Sequence, residues 1–384
     1  MQSQLQSLIP EIIKLRRKLH ANPELAYQEN NTAKVIADTL HKFGYAATTG
    51  IGVTGVSAIL DSGKPGKTVA LRADMDALPI QELTGLPYQS TIADKMHACG
   101  HDGHVATLLA VAGALHPLAN QFKGKIKFIF QPAEEGRAGA AAMIKDGILE
   151  NPTVDAIFGY HNMPDIPLGI IATRPGCLLA SMDTFSIRIQ GKGGHAAQPH
   201  KTIDPILIGA HIVQALQSIV SRFTAPTESI VLSITQFHGG NAFNIIPDEV
   251  ELAGTLRTTS TETQKAVKLQ INNIINGIAQ SYLANINVDF IDYFLPTINH
   301  AKETQLVLDA ATQLFGTHRG QKLEVPHMIS EDFSYYLDKI PGCFFFVGTG
   351  GTVSLHNSHF DFNDDIIPIA AEMLGNIAIN YLNT

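Results

Sequence analysis

The order of hydrophobic and polar positions predicts alternating helices and strands over the first half of the chain. Residues 3–20 and the segment "NNTAKVIADTLHKFG" both repeat apolar residues at helical spacing. The runs "GVSAIL", "TVALRA", "KIKFIF" and "VDAIFGY" are short and rich in β-forming residues, and helical segments lie between the later ones. Strands that alternate with helices are typical of an α/β layer with a mainly parallel sheet.

A different pattern begins near residue 183. "DTFSIRIQG" alternates apolar and polar positions, as an antiparallel strand with one exposed face does, and "SIVLSITQFHGG" and "DEVELAGTLRT" predict further strands. Two long helical segments accompany them, and after residue 291 a helix and the strand "GCFFFVG" return to the first pattern. We therefore predict an α/β domain over residues 1–182 and 292–384. An α+β domain with a four-stranded sheet and two helices is inserted into it over residues 183–291.

Composition narrows the class of protein. The chain has 384 residues, which favours two domains, and 45% of them are hydrophobic, which is enough to form a core. The net charge is −8 and there is no basic cluster, so we expect no nucleic-acid partner. Three widely spaced cysteines without a CxxC pair exclude both a disulfide framework and a structural zinc finger.

The N-terminal segment carries charges where a signal peptide needs an apolar core. The sequence contains no stretch of about 18 uninterrupted apolar residues, so we expect no transmembrane helix and no membrane partner. The default expectation is therefore a cytoplasmic protein.

Candidate metal ligands follow four of the predicted strands. They are Asp74 and Asp76 after "TVALR", Glu134 and Glu135 after "KFIFQ", His161 after "AIFGY", and His356 and His359 after "CFFFVG". In an open parallel sheet, ligands bind at the carboxyl ends of the strands. We therefore expect these side chains to meet at one edge of the sheet.

The stretch "MHACGHDGH" adds two more candidates, Cys99 and His101, in a loop before a helix. That helix could begin near Asp102, a good N-cap residue. Thiolate and imidazole suit Zn, Mn, Co or Ni, and nearby carboxylates could hold a second cation. We interpret His97 and His104 of the same stretch as structural residues.

Adjacent glutamates at a strand end point in different directions. One of Glu134 and Glu135 can bind metal while the other faces the substrate and moves protons as a general base. Spacing alone leaves open which of the two has which role.

Segments along nearly the whole chain resemble one known family. They are "LRRKLHANPELAYQE", "LRADMDALPI", "MHACGHDGH", "FQPAEEG", "GYHNMP", "GKGGHAAQPH", "NIIPDEVELAGTLRT", "SEDFSYY" and "LHNSHFDF". In this order they resemble the dinuclear metallo-amidohydrolases of the aminoacylase, hippurate hydrolase and indole-acetyl-amino acid hydrolase type. The resemblance implies a metallopeptidase-type catalytic domain and an inserted satellite domain.

The resemblance also implies roles for single residues. Two divalent ions (Zn, Mn, Co or Ni) are expected on five ligands: Cys99, His101, Glu135, His161 and His356. Glu134 is expected to be the general base, and Asp76 matches an acidic position that orients the site. Asp74 stands where wider relatives carry a metal-binding histidine, so this chain departs from their pattern there.

For the inserted domain, the resemblance implies a homodimer or higher oligomer. His195 is expected to reach the partner's active site and stabilise the developing oxyanion. Asn244 and Arg257 match positions that hold the substrate's carboxylate, a group that the planar guanidinium can bind with two hydrogen bonds.

The function expected from these features is metal-dependent hydrolysis of the amide bond of N-acyl-L-amino acids, which are small molecules. An N-acetyl-diaminopimelate deacetylase or a dipeptidase of the same fold is the alternative. A non-catalytic metal-binding protein is the rival from another class. Such a protein would have no use for Glu134 and His195.

Overall fold

The computed structural model describes the backbone of residues 1–384 and every side chain except those of Asp292 and Tyr293. The chain divides into two compact units. The first comprises Met1–Leu178, Thr297–Val325 and Asp332–Thr384, and the second comprises Leu179–Pro296 and Pro326–Glu331. The predicted insertion over residues 183–291 lies inside the second unit, and its exact boundaries stay a prediction.

The helices and strands alternate along much of the chain. The helices are α1 Gln2–His20, α2 Asn30–Lys42, α3 His101–Leu115, α4 Glu134–Arg137, α5 Gly139–Lys145, α6 Pro205–Ser218, α7 Thr261–Tyr282, α8 Ala301–Phe315, α9 Ser334–Leu337 and α10 Ile366–Leu382. The strands are β1 Ala47–Ile51, β2 Gly55–Asp61, β3 Thr68–Asp74, β4 Lys125–Gln131, β5 Ala156–Met163, β6 Ile171–Thr173, β7 Gly176–Leu179, β8 Met182–Gln190, β9 Gly194–His195, β10 Ile230–His238, β11 Ile245–Ile246, β12 Glu249–Thr258, β13 Asn285–Phe294, β14 Thr297–Asn299, β15 Gly320–Lys322 and β16 Gly342–Gly348. Short 3-10 turns span His116–Gln121 and Pro199–Lys201, and a π turn spans Ile219–Phe223.

The first unit is built on a sheet of eight strands among the described residues, in the order β1-β2-β4-β3-β5-β16-β6-β15. Its centre is parallel, because β3 pairs in parallel with both β4 and β5, and β5 with β16. β2 pairs antiparallel with β1 and β4, and β6 with β16. The predicted α/β class with a mainly parallel sheet is confirmed.

The central strands are buried along almost their whole length. β3, β5 and β16 have no exposed residue, and this explains why their sequences are continuous apolar runs rather than alternating ones. α3 is buried on nearly every side and packs against α1 and α10. The helix that follows the "HACGH" loop is therefore held rigidly at the centre of the unit.

The second unit is the predicted α+β arrangement. Its four-stranded antiparallel sheet has the order β10-β12-β8-β13, and α6 and α7 pack on it. Inward-facing Ile187 and Leu252 of the sheet join Ile212 of α6 and Ile271 of α7 in one core. The alternating pattern of β8 and β12 places polar residues on the opposite face.

One segment of this unit is long and apolar although it contains no uninterrupted apolar run of about 18 residues. Residues 205–223 span 19 residues and contain an 18-residue window with a mean hydropathy of 1.3, enough by length and composition alone to cross a membrane. Core helices of globular domains pass the same test. Here Ile208, Ile212 and Leu216 of α6 are buried in the core of the second unit.

Two helical glycines allow a matched test of this packing. A Cβ atom at Gly103 of α3 would overlap the ring of Phe362, whereas one at Gly277 of α7 would meet nothing within 4 Å. We expect Gly103→Ala to lower the free energy of unfolding of the first unit by about 1–3 kcal/mol. Gly277→Ala should instead stabilise the second unit by about 0.5–1 kcal/mol, because alanine restricts the unfolded chain. Differential scanning calorimetry measures both, and an unchanged first-unit transition in Gly103→Ala would contradict this packing.

Candidate metal centre

Four neighbouring strands bring the candidate ligands to one edge of the first unit's sheet. β4, β3, β5 and β16 are adjacent and parallel, so their carboxyl ends lie side by side. β3 ends at Asp74 and β4 ends three residues before Glu134. His161 lies within β5 near its end. Residues that are far apart in the sequence therefore meet at one edge, because their strands are neighbours in the sheet.

The "HACGH" loop reaches the same edge at the start of α3. The helix begins at His101, and its N-cap is Gly100 with a φ of +90°, a conformation that suits glycine. The helix thus begins within one residue of the expected position, but Asp102 is not its N-cap. The Asp102 carboxylate does not cap the helix, because it is buried against His20 (Oδ2 to Nδ1, 2.9 Å) and Arg16 (Oδ2 to Nη1, 3.3 Å).

The five predicted metal ligands lie together. Cys99 Sγ is 3.4 Å from His161 Nε2, and Glu135 Oε1 is 3.3 Å from His356 Nε2 and 4.0 Å from His101 Nε2. Among the described residues, five sets have donor atoms within 4.8 Å of one another. Three consist of predicted site residues: Cys99, His101 and His161; Cys99, Glu135 and His356; and His101, Glu134 and Glu135. The other two are Asp74, His101 and His104, and Glu134, Glu331 and Asp332. Within the three sets of predicted site residues, Cys99, His101 and Glu135 each occur twice.

Buried polar atoms without a hydrogen bond support the fit of this cluster to divalent cations. His101 Nε2 and Glu135 Oε1 are buried without a hydrogen-bond partner among the described residues. The other ring nitrogen of His101 lies 3.3 Å from Asp76 Oδ1, and His161 Nδ1 lies 2.7 Å from the backbone oxygen of Asn162. Such contacts commonly orient metal-binding histidines, and here they turn the remaining nitrogens toward the cluster.

The electrostatics of the cluster also favour cations. Burial raises the pKa of the Cys99 thiol well above its usual value, and Glu135 and Glu134 raise it further. Burial lowers the pKa of His101, but Asp74 and Asp76 outweigh it and the pKa rises to about 10. Carboxylates thus dominate the potential at this edge of the sheet, and positive charge placed there is stabilised.

Asp74 and His104 form a hydrogen-bonded chain behind the ligands. Asp74 lies 2.7 Å from Arg72 Nη1 and 2.5 Å from His104 Nδ1, and His104 Nε2 is 2.7 Å from Asn162 Oδ1. Asp74 Oδ2 remains 3.8 Å from His101 Nε2. Both nitrogens of His104 are therefore occupied by the protein itself.

His97 differs from His104, because neither of its ring nitrogens has a hydrogen-bond partner among the described residues. Its side chain is buried, and burial lowers its pKa to about 4. The imidazole is therefore neutral at physiological pH.

The remaining predicted site residues lie in the second unit. His195 of β9 is exposed and pairs in register with Ile245 of β11, and the backbone oxygen of Asn244 accepts a hydrogen bond from Ala196. Arg257 of β12 is half-buried, and its Nη1 donates to Ser330 Oγ at 2.7 Å. Burial lowers the pKa of the Arg257 guanidinium, and Asp183 partly offsets this effect.

Several buried residues beside the ligands have no role that the sequence predicts. Glu29 accepts a hydrogen bond from the backbone of Ala133, and Asp332 accepts one from Ala140. Asp332 also pairs with Arg72 at 2.9 Å. The segments "LAYQE" and "SEDFSYY" are part of the family resemblance, but no local pattern connects either of them with the "PAEEG" loop.

Comparisons with known proteins agree with the geometry. A family model described as peptidase family M20/M25/M40 matches residues 70–380. Hippurate hydrolase of Campylobacter jejuni is 40% identical over 383 residues, covering 98% of this chain and 100% of that protein. An IAA-amino acid hydrolase of Arabidopsis thaliana is 39% identical, covering 97% of this chain and 86% of that protein.

A solved structure gives the same result for the fold. A dinuclear metal-binding peptidase of the M20 family from Bacillus subtilis matches with a TM-score of 0.87 at 35% identity, covering 99% of both chains. The family resemblance found in the sequence is confirmed. The chain belongs to peptidase family M20/M25/M40.

Proposed function

We propose that this protein hydrolyses the amide bond of N-acyl-L-amino acids in a metal-dependent reaction. The products are a carboxylic acid and an amino acid. The observation that carries this proposal is the cluster itself: Glu134 lies beside His101 and Glu135 with donor atoms within 4.8 Å. A carboxylate so close to a metal-binding cluster is suited to acid–base chemistry on a water molecule and an amide.

Two divalent ions are proposed for the cluster, held by Cys99, His101, Glu135, His161 and His356. The overlap of the donor sets supports two ions, because Cys99, His101 and Glu135 each lie within reach of two groups of ligands. When bound, such ions polarise the substrate carbonyl and lower the pKa of a water molecule. The mixture of thiolate, imidazole and carboxylate suits Zn, Mn, Co or Ni.

Glu134 is the proposed general base. Its side chain is buried, and its Oε1 lies 3.4 Å from the backbone nitrogen of Asp332, which limits its orientation. It takes a proton from water as the hydroxyl attacks the amide carbon, and it then delivers that proton to the leaving amine. Asp76 contributes by orienting, since it contacts both the His101 ring and the Glu135 backbone nitrogen at 3.0 Å.

A pair of substitutions separates the two adjacent glutamates. Glu134→Gln should retain bound metal and lower kcat by about 10²–10⁴-fold, because the amide cannot accept the proton. Glu135→Gln should lower the metal content, because the ligand loses its charge. Metal analysis and turnover of N-acetyl-methionine measure both effects. Unchanged turnover in Glu134→Gln would refute the assignment of the base.

The second unit is proposed to complete the site through a homodimer. His195 would stabilise the oxyanion in the partner's active site, and its exposed position in the short β9–β11 sheet is compatible with that role. Asn244 and Arg257 would hold the substrate's carboxylate. The hydrogen bond from Arg257 to Ser330 supports this role, because it limits the rotamers of the guanidinium and leaves other donors free to bind an anion.

Mixing two inactive variants tests the dimer directly. His195→Ala and Glu134→Gln should each be nearly inactive alone, but subunit exchange between them should restore part of the activity. In a mixed dimer, one site receives an intact Glu134 from one chain and an intact His195 from the other. Sedimentation establishes the oligomeric state in parallel. If activity does not recover although subunit exchange is demonstrated, His195 acts in the active site of its own chain or takes no part in the reaction.

The substrate class is tested by a panel after removal of metal. Chelation should abolish activity, and separate re-addition of Zn, Mn, Co and Ni should identify the ions that restore it. Hippurate and N-acetyl-methionine should then release amino acid. A dipeptide should not, because no acidic residue of the sequence is assigned to a free substrate amine. Faster cleavage of the dipeptide would favour a dipeptidase, and selective cleavage of N-acetyl-diaminopimelate would favour the deacetylase.

The cytoplasm is the proposed compartment. Cys99 can bind metal only as a reduced thiol, and the structure describes all three cysteines as free. A reducing compartment preserves such a ligand.

A further inference from the structure

The loop that carries Glu134 and Glu135 has an unusual backbone. Ala133 and Ala138 adopt left-handed conformations with φ of +56° and +53°, although neither is glycine. The loop is also tight, because Gly139 donates its N–H to the Ala133 oxygen at 3.1 Å, and a Cβ atom there would overlap the Pro132 carbonyl. Left-handed alanines persist only where the surrounding structure holds them.

Glu29 holds the first of these alanines. Its Oε1 accepts a hydrogen bond from the Ala133 N–H at 2.9 Å, and its Oε2 accepts one from the Thr54 hydroxyl at 2.6 Å. Glu29 is itself fixed at the start of α2, where its backbone oxygen accepts a hydrogen bond from Ala33 at 2.8 Å. Glu29 and Ala133 are both fully buried, so water cannot take over the Ala133 hydrogen bond.

Two further carboxylates hold the rest of the same loop. Asp76 Oδ2 accepts the Glu135 N–H at 3.0 Å, and Asp332 Oδ2 accepts the Ala140 N–H at 2.9 Å. Three buried acids thus bind backbone groups immediately before, within and after the glutamate pair. Asp76 already has a proposed orienting role, and Asp332 belongs to a set of possible metal ligands with Glu134 and Glu331, whereas neither applies to Glu29.

We propose that Glu29 is a positioning residue for the reaction, which fixes the Ala133 turn and thereby the directions of Glu134 and Glu135. The proposal rests on the function proposed above for those two glutamates. Glu29 acts through the backbone of the loop. A glutamate that moves with a loosened loop no longer meets its proton or its metal ion at the productive distance.

Three substitutions isolate the hydrogen bond. Glu29→Met keeps the length of the side chain but leaves the Ala133 N–H buried and unpaired. Glu29→Gln keeps an oxygen for Ala133, and its amide can donate to the Thr54 hydroxyl, which accepts as well as donates. Glu24→Met is the matched control, because Glu24 also accepts two backbone hydrogen bonds, from Asn31 (3.2 Å) and Thr32 (2.8 Å), at the start of α2.

For Glu29→Met we expect kcat with N-acetyl-methionine to fall on the order of 10²-fold, with a smaller change in KM. Affinity for zinc, measured by competition with a chromophoric chelator, should fall about 10–100-fold. Glu29→Gln should stay close to the unsubstituted protein in both measurements. Glu24→Met should lower the melting temperature while leaving kcat and zinc affinity unchanged, which separates positioning from general stability.

Unchanged kcat and zinc affinity in Glu29→Met would overturn the proposal. So would equal losses in Glu29→Gln and Glu29→Met, because they would assign the effect to charge rather than to the hydrogen bond. If Glu29→Met does not fold, Glu29→Asp withdraws the carboxylate by one methylene, and the same losses are expected from it. Unchanged turnover in Glu134→Gln would refute the proposed base. If Glu134→Gln loses turnover while Glu29→Met stays fully active, only the positioning role of Glu29 is refuted.

Discussion

Buried negative charge at one edge of the central sheet is the constraint on which the rest of the first unit depends. Asp74, Asp76, Glu134 and Asp332 are all buried, and a buried carboxylate is stable only when it is paired. Arg72 compensates part of this charge, at 2.7 Å from Asp74 and 2.9 Å from Asp332. Glu134 and Glu135 add negative charge beside the buried Cys99 thiol, and divalent cations bound there would balance it.

The same constraint organises the surrounding backbone. Carboxylates that repel one another are held in place by accepting hydrogen bonds from the loop that carries the glutamate pair. Asp102 shows the principle again at the start of α3, where it is buried against Arg16 and His20. Burial lowers the pKa of His20, but Asp102 and Glu82 outweigh it and raise the pKa to about 9. The resulting ion pairs tie α1 to the helix that begins with His101.

The sequence was informative where a local pattern has one structural meaning. Ligand-type residues after buried strands predicted a common sheet edge, because the carboxyl ends of adjacent parallel strands must lie together. Local preference was misleading at Asp102, a good N-cap by type, because its carboxylate is used by residues more than eighty positions away. The apolar composition of residues 205–223 was likewise not apparent from a search for uninterrupted apolar runs.

By itself, the sequence determined the α/β and α+β patterns, the family and the residue types available for metal chemistry. These follow from periodicity and motif order, which are local properties of the chain. Only the tertiary structure decided that His101 Nε2 has no hydrogen bond whereas both nitrogens of His104 are occupied, and that Glu29 holds Ala133 across 104 residues. Such pairings depend on strand order and on the exclusion of water, and neither is encoded in the neighbourhood of a single residue.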